Sequence, residues 1–127
     1  MKKVTIEEII KRADELMPGN TYKSEIKYKW ISDVDSRVAD LIIRKSEEER
    51  DFRFNGYDGD TDGDTELLIP EPYADAYVHY IHSQIYFYNH DEERYQTSYS
   101  AYYAEFQNYA EYYNRENMPI EHTIKVF

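Results

Sequence analysis

The chain has 127 residues, enough for one domain with one modest core. Its formal net charge of −11 argues against non-specific phosphate binding, which rests on Lys and Arg, and against docking on an anionic membrane. With no cysteine, disulfide frameworks, thiolate nucleophiles and cysteine-based zinc sites are excluded.

Fifteen Tyr stand against five Phe and one Trp, which reconciles an aromatic share of 17% with a mean hydropathy of −0.90. Tyr joins a large apolar ring to a polar tip that needs a partner or water. This composition suits half-buried surfaces, either a core that uses Tyr where others use Leu or contacts between subunits. At the N-terminus, Glu7 and Glu8 interrupt any apolar run of the kind a signal peptide carries. No stretch approaches the ~20 apolar residues of a membrane span. The expectation is a protein made in, and kept in, a cytosol-like compartment.

The spacing predicts a first helix over 5–16. Thr5 and Glu8 have capping-box spacing, and Ile6, Ile9, Ile10, Ala13 and Leu16 share one face. Pro18-Gly19 stops it. A longer helix follows over 24–44, with Ser24 as its cap. Ile26, Trp30, Val34, Val38 and Leu41 form its apolar stripe, flanked by Ile31 and Ile42.

The segment 45–66 changes character. Nine acidic residues between Glu47 and Glu66 face only Arg50 and Arg53. Gly56, Gly59 and Gly63 punctuate an irregular loop, with a short extended piece expected at Phe52-Arg53-Phe54. Within it, Asp58, Asp60 and Asp62 followed by Gly63 open like a calcium-binding EF-hand. The twelfth position, which should supply a bidentate Glu, is Ile69 instead, and Pro70 follows at once. A solvated acidic loop is the favoured reading of Asp58, Asp60, Asp62 and Asp64, ahead of a weak cation site.

Residues 67–115 read as a helical hairpin. Pro72 suits the first turn of a third helix. Its inner side carries Tyr73, Ala76, Tyr77, Tyr80, Ile81, Gln84, Ile85 and Tyr88. Asn89-His90-Asp91 breaks it, and Asn89 with Glu92 again has capping-box spacing. The fourth helix runs over about 91–115. Tyr95, Tyr99, Tyr102, Phe106, Tyr109 and Tyr113 recur at heptad-like steps, suited to a seam against an antiparallel neighbour. Met118-Pro119 ends the helical region. The tail 116–127 is read as extended, and its β-prone end places Ile124, Val126 and Phe127 as candidate anchors on a partner.

Catalytic chemistry finds little support. Asp75, His79 and His82 share a helix face at ligand-like steps, yet the di-iron and His-Glu-x-x-His patterns are both missing. Surface histidines are the favoured reading. There is no Gly-x-Ser-x-Gly and no phosphate-cradling Gly-rich loop. A base-stacking platform built from the tyrosines lacks the basic groove that such binding needs.

Several stretches carry a resemblance. They are Trp30-Ile31-Ser32-Asp33-Val34-Asp35, Leu67-Leu68-Ile69-Pro70-Glu71-Pro72-Tyr73, Tyr77-Val78-His79-Tyr80-Ile81 with Gln84-Ile85, then Asn89, Glu93 and Tyr95, and finally Phe106 and Tyr112-Tyr113-Asn114-Arg115. Together they resemble head–tail connector (neck adaptor) proteins of tailed phages and prophages of Gram-positive bacteria. The resemblance implies a non-enzymatic virion subunit without cofactor, made in the host cytoplasm. It implies a homo-oligomeric ring below the portal protein, bound to other neck or tail proteins. DNA would pass through the lumen without specific nucleic-acid recognition, and no membrane is involved. On that analogy the acidic loop and the 116–127 tail are assembly elements, and like-charge repulsion would let DNA slide past Asp58, Asp60, Asp62 and Asp64.

The expected architecture is therefore mainly α, a single small four-helix bundle-like domain over 1–127. It has a C-terminal helical hairpin, a long acidic loop and an extended tail. Tyr103 and Tyr112, which widen the seam of the fourth helix, are candidate interface residues. Two rivals remain: an acidic DNA mimic that regulates a DNA-binding enzyme, and a metal-dependent enzyme built on Asp75, His79 and His82.

Overall fold

The structure, a computed structural model, describes residues 1–117. It is mainly helical, with α1 (Ile6–Leu16), α2 (Ser24–Leu41), α3 (Asp75–Tyr88) and α4 (Glu92–Glu116) packed together. A short 3-10 turn, Ile43–Lys45, follows α2. Among the described residues there is no strand; Thr5 and Glu66 form an isolated antiparallel bridge.

Thr5 caps α1 as its spacing predicts, accepting a hydrogen bond from the Glu8 amide at 3.2 Å. The two amides before it are also satisfied, from an unexpected source. Ile6 N–H donates to the Thr65 carbonyl and Glu7 N–H to the Gly63 carbonyl, at 3.1 and 3.0 Å. The acidic loop thus supplies the acceptors that a helix start leaves wanting. Ile6, Ile9 and Ala13 are buried, whereas Leu16 points into solvent. The helix ends there, and Met17, its C-cap, packs against the core instead. Gly19, at φ +87°, takes the left-handed turn that follows.

The buried face of α2 is rotated from the apolar stripe. Trp30, Val34 and Val38 are buried as expected, but Ile26 and Leu41 are exposed. Their place is taken by Lys27, Ile31, Asp35 and Ala39. Hydropathy hides this face because two of its members are charged. Lys27 is tolerated because its ammonium reaches Asp14 of α1 at 2.7 Å, and the same carboxylate oxygen accepts from Asn20 at 3.0 Å. Lys23 rather than Ser24 is the cap residue, and its side chain makes no capping bond. The helix also closes early. Ile42 is its C-cap, and Ile42 and Ile43 are both buried as the chain tightens into the 3-10 turn.

The segment from 46 to 66 is irregular but not detached. Phe52 and Tyr57 pack against the core, and the Phe52 carbonyl accepts from Arg44 at 2.9 Å. Among the described residues the extended piece expected at Phe52–Phe54 forms no strand; Phe54 instead meets Tyr57 edge-on at 4.9 Å. Beyond it, Leu67 N–H donates to the Val4 carbonyl and Glu71 N–H to the Lys2 carbonyl, both at 2.8 Å. This lays Leu67 and Ile69 into the core beside α1 and α3. Helix α3 starts at Asp75, three residues after Pro72, so Pro72 is not in its first turn; the Glu71–Pro72 peptide is cis.

The α3–α4 link differs from the expected cap at Asn89. Asn89 is the C-cap of α3, and His90 follows in the left-handed region at φ +60°. His90 N–H donates to the Phe87 carbonyl and Asp91 N–H to the Tyr86 carbonyl, the paired bonds of a Schellman motif. The Asp91 side chain then accepts from the Arg94 amide at 3.2 Å and caps α4. One aspartate therefore closes one helix with its backbone and opens the next with its carboxylate. Ring pairs fix the antiparallel sense. Phe87 meets Tyr95, Tyr80 meets Tyr99 and Tyr102, and Tyr73 meets Tyr109 and Tyr112.

Candidate functional site

The most unusual polar arrangement centres on Asp35, a residue that apolar periodicity passes over. It is fully buried at the meeting point of α2, the acidic loop, the 67–71 segment and α3. Its Oδ1 accepts from the Tyr77 hydroxyl at 2.5 Å, and its Oδ2 accepts from the Tyr57 hydroxyl at 2.7 Å and the Leu68 amide at 3.2 Å. Tyr77, itself fully buried, accepts in turn from the Ile69 amide at 2.7 Å. Tyr57 N–H donates to Ser32 Oγ, one turn before Asp35, at 3.0 Å.

Burial pushes the Asp35 carboxyl up to about 6, against the downward pull of the bonds from Tyr77, Tyr57 and Leu68. The same burial, with the nearby Asp35 charge, raises Tyr57 and Tyr77 well above the ordinary phenol range. Neither phenol is poised to give up its proton near neutrality. The chemistry available here is hydrogen bonding, and its effect is positional: one carboxylate ties the loop and two chain segments to α2.

The four aspartates Asp58, Asp60, Asp62 and Asp64 are exposed on the loop so held. Asp58 and Asp62 fold back on their own backbone, accepting from the Asp60 and Asp64 amides at 2.9 Å each. These are turn-forming bonds of the Asx type. Thr61 Oγ1 accepts from the Asp58 amide at 2.8 Å. Among the described residues no group of three or more His, Asp or Glu side chains is placed to share a metal ion. Asp75 pairs with Arg12 at 2.9 Å, and His82 donates from Nε2 to the Ala13 carbonyl at 2.9 Å. His82 is thus partly buried between α3 and α1 rather than a plain surface histidine.

The remaining candidates fall in three places. Tyr103 is 54% exposed on the outer side of α4. Tyr112 is half-buried, 5.8 Å from the ring of Tyr73 and 6.3 Å from that of Tyr109. Ile124, Val126 and Phe127 lie outside the described residues, as does most of the expected 116–127 tail; Glu116 ends α4 and Asn117 is its C-cap. Among the described residues no helix is long and apolar enough to cross a membrane.

Comparison with protein-family models, curated proteins and solved structures finds no significant match.

Proposed function

We propose that this protein is a head–tail connector subunit of a tailed phage or prophage. It joins a homo-oligomeric ring below the portal, contacts other neck or tail proteins, and resides in the virion neck after synthesis in the host cytoplasm. The reading rests on the sequence resemblance. The observation that carries it furthest is the way the acidic loop is held. Its aspartates face solvent, while its backbone is bonded to the start of α1 and its Tyr57 to the buried Asp35. A negative surface presented on a fixed backbone suits the wall of a channel through which DNA must slide without sticking.

The residues that carry the resemblance are largely those that hold the fold together. Leu67, Ile69, Tyr77, Tyr80, Ile81, Ile85 and Phe106 all belong to the core. They support the helical core, and the function follows by analogy with the architecture that the resemblance implies.

Electron microscopy of particles from an induced lysogen lacking the gene tests the proposal. Filled or leaking heads beside separate, complete tails are the expected result. Normal infectious particles would remove the structural role.

A further inference from the structure

Two residues that helical spacing assigns to the core lie together in solvent. Ile26 on α2 is 40% exposed and Tyr88 on α3 is 56% exposed. Both line a hollow of about 280 Å³ with Tyr22, Lys29 and Trp30. The Trp30 ring supports the patch from beneath, near-parallel to Tyr88 at 6.3 Å. The adjacent Phe87 is 53% exposed and stands edge-on to Tyr88 at 5.2 Å. It lines a second hollow, of about 360 Å³, with His90, Glu92 and Tyr95. Phe87 and Tyr88 thus form an aromatic ridge between two hollows, one carrying a cation and the other an anion. Neither Lys29 nor Glu92 has an ion-pair partner among the described residues.

We propose that this ridge is covered by the same ridge of a second copy of the chain, across a two-fold axis near Phe87 and Tyr88. A two-fold operation turns a patch end for end, so a patch with opposite charges at its ends is complementary to itself. Lys29 of each copy then meets the partner's Glu92, and the pair forms twice. The ridge rings lose water against the partner's hollows, which is the apolar gain that contiguous exposed patches offer. A basic partner is disfavoured by Lys29 and an acidic one by Glu92; a second copy satisfies both charges. The long-range repulsion between two chains of charge −11 opposes pairing and is screened at physiological salt. This contact is two-fold, unlike the head-to-tail contacts that close a ring, and it stands independently of the connector reading.

Sedimentation of the full chain over a range of concentrations, at near-physiological salt, tests it. A concentration-dependent dimer is expected. Phe87→Asp should weaken it about tenfold or more, as loss of a central aromatic does, with the helical circular-dichroism signal kept. Lys29→Glu and Glu92→Lys should each weaken it, and the double variant should restore it. A chain that stays monomeric at the highest concentrations would overturn the proposal. So would a dimer indifferent to Phe87→Asp, a double variant as weak as the single ones, or assembly into larger rings without a dimer. Particle morphology in the gene-deletion experiment is unaffected by any of these outcomes, so the two proposals fail separately.

Discussion

The two sides of the core are built from different chemistry. Where α1, α2 and the 67–69 segment meet α3, the buried side chains are Val4, Ile6, Ile9, Ile31, Val34, Val38, Leu67, Ile69 and Ile81. Where α3 meets α4, they are rings: Tyr80, Tyr102, Phe106 and Tyr109, with Tyr73, Tyr99, Tyr112 and Tyr113 at the margin. The aliphatic side chains are held by volume, because they have no polar atoms to direct them. The tyrosine side carries a hydroxyl on nearly every ring, and each buried hydroxyl must find a partner. Tyr102 takes Arg37 at 3.3 Å, and Tyr77, between the two sides, takes Asp35. The aliphatic side is therefore specified by shape, and the tyrosine side adds direction.

The largest expected effect comes from removing volume on the aliphatic side. Ile31 is fully buried, and Ile31→Ala should cost about 4 kcal/mol through lost transfer energy and the cavity left behind. Urea unfolding, with an unchanged slope, measures it. A cost below about 1 kcal/mol would mean that the site collapses freely and that volume does not specify this side.

A smaller effect belongs to Asp35, where the two sides meet. A carboxyl raised to about 6 from an ordinary 3.8 binds its proton more tightly in the folded state. Its contribution to stability is thus fully present below the unfolded value and is lost as pH rises through about 6. The swing is roughly 3 kcal/mol across that window. Asp14 works the other way. Burial raises it, but bonds from Lys27 and Asn20 and the Lys27 charge outweigh burial and lower it, so its contribution is lost on acidification. The difference between the wild type and Asp35→Asn isolates the Asp35 share. From pH 7 down to about 4.5 the wild type should gain on the variant. Parallel pH curves would show that the three donors already offset burial and that the Asp35 carboxyl is not raised.

Much of the architecture is legible in the sequence, because the four helices are written in apolar spacing and the seam Tyr102–Phe106–Tyr109 in heptad steps. What spacing misses is polar and buried. Lys27 and Asp35 occupy core positions on α2, and only their partners, far off in sequence, make that tolerable. One signal was present. Asp35 falls four residues from Ile31 and three from Val38, inside a run of buried positions, where a charge calls for a partner. The caps expected at Asn89 and Ser24 lie elsewhere for local reasons: Asn89 and Asp91 both offer a capping side chain and backbone geometry chooses Asp91, while at α2 the cap is Lys23 and no side chain caps at all. The anchoring of the acidic loop to α1 is not legible in the sequence, because its acceptors there are carbonyl oxygens, which every residue carries and no sequence pattern marks.

The smallest effect is also the sharpest test of direction on the tyrosine side. Arg37 lies 5.3 Å above the Tyr80 ring centre and donates to the Tyr102 hydroxyl. It is only partly buried, so solvent screens much of what it gains. Tyr102→Phe keeps the ring and removes the acceptor, and should cost about 1 kcal/mol or less. Arg37→Met keeps much of the stem and removes both the donor and the cation over Tyr80. A double-mutant cycle between them separates the hydrogen bond from the ring contact, with an expected coupling of about 0.5 kcal/mol. If the coupling is nil while Arg37→Met alone is still costly, the arginine works through the face of Tyr80 and not through the hydroxyl. The rings would then be packed for their apolar bodies, and the difference between the two sides of the core would reduce to Tyr77 and its bond to Asp35.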